Sequence, residues 1–373
     1  MNKKEIAEIR KQFTPERCSV TRICACLVDA DKNKKMEMAG SFLTLAEEEI
    51  HKYLDIFKRT LSGTLGKNLL CLDFPLEAER GGGFQSQLMA LRKSALEDDA
   101  LLEDFYDSMI KHLNYTENYL ILVIRAVYDI PGKTSDGLGL DDASDEIYDH
   151  LLCSICPVNL SKAGLCYNTQ ENLIEDRIRD WVVEMPVTGF LFPLFNDRSS
   201  DIHGLLYYSR NAEQLQSAMI EEWFGCDAPL SAGTQKDSFN MLVENTLGEE
   251  CAYDTVLTIH EKLNEIMEAD KDEPEPAVLT KSEVRRILED SGVSGEHLEN
   301  FDEQYRIAAG TAPALQASNI ASPKKMEIKT PDISVLVDPA RADLVQTRQI
   351  DGRKCLVIPI EGEVEVNGIH ITA

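Results

Sequence analysis

The sequence predicts an α+β fold: an N-terminal mixed sheet-and-helix domain over 1–210, a helical middle region over 211–310, and a C-terminal antiparallel β-hairpin module over 324–373. Three observations carry this reading. Cys18–Val28, Tyr119–Ile130 and Ile147–Ile155 are apolar runs of strand length, alternating or continuous. From Asn211 to Ala309 the apolar spacing changes to three and four residues, the period of helices. The C-terminal stretch returns to period two around Asp351-Gly352 and Asn367-Gly368, dipeptides that favour two-residue hairpin turns. A length of 373 residues also suits two or three domains.

In order along the chain, Ile6, Ile9 and Phe13 predict a short amphipathic helix over 2–13. Strands Cys18–Val28 and Met36–Leu43 follow, joined by the polar turn Asp31–Lys35. Thr44 with Glu47 three residues on predicts a capping box that opens a helix. Strand Asn68–Phe74 leads into the loop Glu79–Gly83 and helices Gln85–Leu96 and Asp98–Leu113. Strand Tyr119–Ile130 is expected to end at Pro131-Gly132, before an acidic loop that runs from Asp136 to Asp149 and overlaps the next strand. Strands Ile147–Ile155, Arg179–Phe195 and His203–Ser209 complete the domain. The helical region reads as Ala212–Phe224, Thr234–Leu247, Tyr253–Ala269, Lys281–Asp290 and Glu296–Ile307. Asp270–Pro276 and Ala308–Pro323 read as linkers.

Charge limits the partners. The chain holds 65 acidic and 38 basic residues, a net charge of −27. Residues 1–323 account for −26 of it, and 324–373 for only −1. An acidic body repels phosphate backbones and anionic membranes, so a polyanion would dock most readily on the last fifty residues. The N-terminus MNKKEIAEIRKQF has no apolar core, so no signal peptide is expected, and no apolar run approaches membrane-span length. Ten cysteines in that setting point to a reducing cytoplasm with free thiols.

No catalytic or cofactor signature is complete. Gly132-Lys133-Thr134 lacks the earlier glycine of a phosphate loop, because Val127 stands there. His150, Cys153, Cys156 and Cys166 could supply zinc ligands, but a second Cys-x-x-Cys pair is missing. Strand alternation instead places Cys153 and Ile155 on one face and Cys156 on the other, and no metal is expected. Cys24 and Cys26 are likewise read as strand packing, with their thiols on opposite faces. No His-Glu-x-x-His motif or Gly-x-Ser-x-Gly elbow occurs, and Glu327-Ile328-Lys329 precedes Pro331-Asp332, the wrong order for a metal-dependent nuclease. The acidic loop lacks the alternating oxygen ligands of a calcium-binding loop. Arg80, Gly81, Gly82, Gly83 and Gln85 could bare helix amides to an anion beside the Arg80 guanidinium. The plainer reading is a loop that lets two elements approach closely.

Several stretches resemble a family of bacterial proteins catalogued as a domain of unknown function, number 4317. They are NKKEIAEIRKQFTPE, GGGFQSQLMALRKSALEDDALLEDFYDSMI, NYLILVIRAVYDIPGKTSDG, LLCSICPVNLSKAGL and VEVNGIHI. That resemblance spans nearly the whole chain and implies no activity. Residues 205–373 also distantly resemble bacterial nucleoid-associated proteins in element order, with Trp223-Phe224-Gly225 at a helix end, Gln235 opening the next helix, and Gly292-Val293-Ser294 later.

The leading expectation is a non-enzymatic cytoplasmic binding protein without cofactor. It would contact nucleic acid through the basic residues of the C-terminal module, chiefly Arg348, Arg353 and Lys354. One alternative is a small-ligand or anion-binding protein, or an enzyme, that uses Gly81–Gly83. The other is an acidic scaffold for a basic protein partner.

Overall fold

The computed structural model describes all residues except 77–80, 134–138, 249–250, 311–313, 323–324, 360–361, 363, 367–368 and 372–373. The chain forms two compact units, Met1–Ser231 and Ala232–Ala373. Among the described residues no helix is long and apolar enough to cross a membrane. The fold is α+β, with antiparallel strand pairing throughout the named sheets.

The first unit begins with α1 (Lys3–Arg10), β1 (Val20–Val28), β2 (Lys34–Ser41), α2 (Glu47–Thr60), β3 (Leu69–Asp73), α3 (Phe84–Lys93) and α4 (Asp99–His112). Strands β4 (Tyr119–Lys133), β5 (Gly139–Leu160), β6 (Leu165–Asn168), β7 (Leu173–Asp176) and β8 (Trp181–Val183) follow. The unit closes with β9 (Thr188–Phe192), β10 (Leu194–Asn196), β11 (Ser199–Asp201), β12 (Gly204–Ser209) and a π-helical turn, Met219–Trp223. The main sheet runs β2-β1-β4-β5-β9-β12-β3, and β8 pairs with the end of β5.

Helices cover both faces of this sheet. Tyr119, Ile121 and Val123 of β4 face α3, α4 and the 219–226 segment, while Leu120, Leu122 and Ile124 face α1 and α2. A strand buried on both sides needs apolar residues at every position, which is why β4 reads as a continuous run. Cys153 and Ile155 lie on the first face and Cys156 on the second, as the alternation predicts. Cys24 and Cys26 correct their expectation. Both lie on the first face with Ala25 on the second, because residues two apart on a strand share a side.

Several boundaries move for identifiable reasons. Thr44 does not cap α2: its hydroxyl donates to Ser41 O at 2.7 Å, and Ala46 stands at the cap with no side-chain bond. Pro131 does not end β4, because register shifts at Ile130/Pro131 and Pro131/Gly132 let pairing continue to Lys133. Thr134 and Asp136 fall outside the described residues, and the stretch expected as acidic loop from Gly139 onward is strand β5. The helix expected over Ala212–Phe224 contracts to its last turns. The Asn211 side chain accepts from Glu213 N, and Tyr207 Oη accepts from Gln216 N, diverting donors that a helix would use. Gly225 then takes φ +71° directly after Phe224.

One close approach fixes a helix on the sheet. A Cβ at Gly189 would lie 2.3 Å from Cys153 O and 2.8 Å from Thr60 Cγ2, so only glycine fits there. Beside it the buried hydroxyls of Thr60 and Ser154 are hydrogen bonded at 2.6 Å.

The second unit comprises α5 (Ala232–Leu247), α6 (Tyr253–Ala269), β13 (Val278–Thr280), α7 (Lys281–Asp290), α8 (Phe301–Ala309), β14 (Ala314–Gln316) and α9 (Ala317–Ile320). Thr280 and Glu283 form a capping box that starts α7. The stretch expected as a linker over 308–323 contains the regular elements β14 and α9. β14 pairs with β13, and Gln316 N donates to Gln235 Oε1 at 2.8 Å. Three hairpins follow: β15 (Met326–Lys329) with β16 (Ser334–Val337), β17 (Gln346–Ile350) with β18 (Arg353–Val357), and β19 (Val364–Val366) with β20 (Ile369–Ile371). Asp351 and Gly352 turn the second with φ +49° and +76°, as a two-residue turn with both residues at positive φ requires. Asn367 and Gly368 lie outside the described residues.

Candidate anion-binding site

The residues singled out in sequence do not converge. Arg80 is outside the described residues. Gly81 and Gly82 are exposed with φ +101° and +86°, and Gly83 is the N-cap residue of α3. Gln85 is buried and donates through Nε2 to Ile202 O at 2.9 Å, so its amide is committed to the scaffold. The glycines deliver Phe84 into the core, where its ring stacks on Phe224 at 4.5 Å.

His150 and Cys156 lie on the α1/α2 side of β5, Cys153 on the other, and Cys166 in β6. Burial pushes the Cys156 thiol up to about 12 and the Cys153 thiol well above its usual range, so neither presents a ready thiolate. Among the described residues no group of three or more His, Cys, Asp or Glu side chains could hold a metal ion. In the second hairpin Arg348 pairs with Cys355, and Ile350 with Arg353, which puts both arginines on one face. Lys354, opposite Gln349, lies on the other face.

Four cations that sequence reasoning missed do come together on the α1/α2 side of the first unit. Arg10 ends α1, Lys58 and Arg59 lie in the last turn of α2, and Arg210 follows β12. With Asp55, Ser62, Glu184 and Met185 they line an open cavity of about 830 Å³. Basic residues suit these helix ends because the C-terminal carbonyls carry partial negative charge. Lys58 Nζ lies 3.8 Å from Asp55 Oδ1, and Arg210 Nε donates to Pro186 O at 3.0 Å while its Nη2 donates to Met185 O. Glu184 Oε1 accepts from Asn159 Nδ2 at 3.1 Å. Among the described residues neither Arg10 nor Arg59 has an ion-pair partner. The arrangement offers two uncommitted guanidinium groups, a half-engaged ammonium and a backbone-anchored arginine to a ligand with several acceptor oxygens.

A basic group on the opposite face is more nearly neutralised. There Arg125 Nη2 pairs with Asp149 Oδ2 at 2.9 Å, and Asp149 also lines a cavity of about 450 Å³ with Arg92 and Lys93.

Comparison with known proteins supplies the family. A model of a domain of unknown function, DUF4317, matches residues 1–369. The chain belongs to the DUF4317 family. No curated protein matches it at a significant level. The DUF4317 match reaches into both units and so includes the four cations of the cavity and the first two C-terminal hairpins. The likeness of residues 205–373 to nucleoid-associated proteins has no counterpart among these matches.

Proposed function

We propose that this chain is a binding protein whose N-terminal unit captures a small polyanion, of phosphate or carboxylate chemistry, in the cavity lined by Arg10, Lys58, Arg59 and Arg210. The carrying observation is the concentration of four cations against two carboxylates around one cavity, on a chain of net charge −27. A body of that charge repels anions at long range, so a local reversal of sign selects for a ligand that can enter and be gripped at several points. All ten cysteines are free, and a reducing compartment, the cytoplasm, is part of this proposal.

Inorganic pyrophosphate and citrate are suitable probes, titrated calorimetrically against the full chain. Charge-assisted hydrogen bonds contribute about 1.5–3 kcal/mol each, so Arg10→Glu with Arg59→Glu should weaken binding by roughly a hundredfold or more. Failure of both probes to bind at millimolar concentration, or equal binding by the double variant, would sink the reading.

A second reading, nucleic-acid contact through the C-terminal hairpins, is favoured by the shared face of Arg348 and Arg353 and by the −1 net charge of residues 324–373. Arg348→Glu with Arg353→Glu should then abolish retention on a DNA column. Each lost phosphate contact should also lower the salt slope by about one unit. Unchanged retention by the double variant would place any such site elsewhere.

A further inference from the structure

We propose that residues 161–183 form a dimerisation arm that pairs with the same arm of a second copy of this chain. The arm comprises the β6–β7 hairpin and β8, which continues along the end of β5. Its apolar side chains face outward: Ile178 is 82% exposed, Leu165 77%, Ile174 62%, Trp181 61% and Tyr167 57%. Together they expose on the order of 700 Å², on the scale of the ~800 Å² that one partner contributes to a stable interface.

The register concentrates this surface. Tyr167 pairs with Ile174 and Leu165 stands two residues before Tyr167, so the three share one face of the hairpin. A lone two-stranded ribbon is marginal in water, and its outer edges carry unpaired backbone donors and acceptors. Apposition of a second ribbon addresses both deficits.

Charge selects the occupant. Residues 161–183 hold three basic and four acidic side chains, a net of −1 on a chain of −27. This is therefore a place where two copies meet with little repulsion. Lys162 and Arg177 on one side of the balance, and Glu171, Asp176 and Asp180 on the other, have no ion-pair partner among the described residues. A two-fold pairing that sets Lys162 and Arg177 against the partner's Glu171, Asp176 and Asp180 would satisfy both sets at once, because each contact is then made twice. A strongly basic protein would find more opposite charge elsewhere on this chain, and an anionic membrane would meet the arm's carboxylates.

Light scattering coupled to size exclusion on the full chain reads the result directly: a mass twice that of the chain is expected. Ile178→Glu with Trp181→Glu alters only exposed positions and should give folded monomers whose melting no longer depends on protein concentration. Two further variants test the symmetry. Lys162→Glu with Arg177→Glu, and Glu171→Lys with Asp176→Lys and Asp180→Lys, should each be monomeric alone and form a dimer when mixed. A monomeric wild-type chain, a dimer that survives Ile178→Glu with Trp181→Glu, or failure of the mixed variants to associate would each overturn the proposal.

Discussion

Phe84→Ala and Trp223→Ala are each expected to cost the first unit about 3–5 kcal/mol, the usual penalty for deleting a buried aromatic. Phe84 is the hub of an aromatic cluster: its ring centroid lies 4.4 Å from Trp223, 4.5 Å from Phe224 and 5.7 Å from Phe190. Trp223 also meets Phe105 at 5.5 Å and stacks on His112 at 6.1 Å. Removing either ring leaves a void whose walls are strands and helices already held by other contacts, so collapse is limited. Both tryptophans of the chain, Trp181 and Trp223, lie in the first unit, so urea unfolding followed by fluorescence reports on that unit. The midpoint should fall with little change in slope. A loss below about 1 kcal/mol in both variants would show that the cluster does not hold the 219–226 segment on α3 and α4.

The second large effect is a dependence on pH. His150 is fully buried, stacks on Tyr148 at 4.4 Å, and contacts the Tyr148 carbonyl through Nδ1 at 3.2 Å. Burial lowers its pKa to about 4, against the usual 6.5. The folded state therefore binds fewer protons than the unfolded state between these values. The stabilisation is complete above pH 6.5 and is lost as pH falls towards 4, a total on the order of 3 kcal/mol. Asp29 is held near 2 by the Lys35 ammonium and the Asn33 amide, so its own loss comes only below its usual 3.8. Burial also lowers the pKa of His260, which lies in α6 of the second unit, so stability measured between pH 6.5 and 5 through the tryptophans of the first unit isolates His150. His150→Leu should flatten the decline over that interval, and an unaltered slope in the variant would count against this account.

The fold was largely legible where local patterns and tertiary demands agree. Helices α6 and α7 fall on their expected residues because apolar periodicity and, for α7, the Thr280–Glu283 box act together. The faces of Cys153 and Cys156 follow from period two alone. Misreadings arose where a side chain took a backbone group, as Asn211 does near the expected helix start and Thr44 does before α2. Composition reads 308–323 as a linker, yet Ala314–Gln316 within it is a strand through its pairing with Val278–Thr280, some thirty-five residues away in sequence. The cation cavity was not legible for a related reason. Arg10, Lys58, Arg59 and Arg210 are single or paired basic residues at element ends, and only the fold brings these ends together. Its one sequence trace, basic residues closing two amphipathic helices, has the same form as ordinary dipole compensation.

The seat of α2 on β9 has a kinetic consequence for that cavity. Thr60, the residue after Arg59, is held by its hydroxyl to Ser154 and by its methyl against Gly189. The helix end cannot slide along the sheet without breaking a buried hydrogen bond and driving that methyl into a neighbouring backbone. An anion that reaches Arg59 thus meets a guanidinium whose main chain is already in position, and little ordering is left to do. Association should proceed at the rate of encounter, with viscosity slowing it by hindering diffusion, while differences among ligands express themselves in how long each one stays.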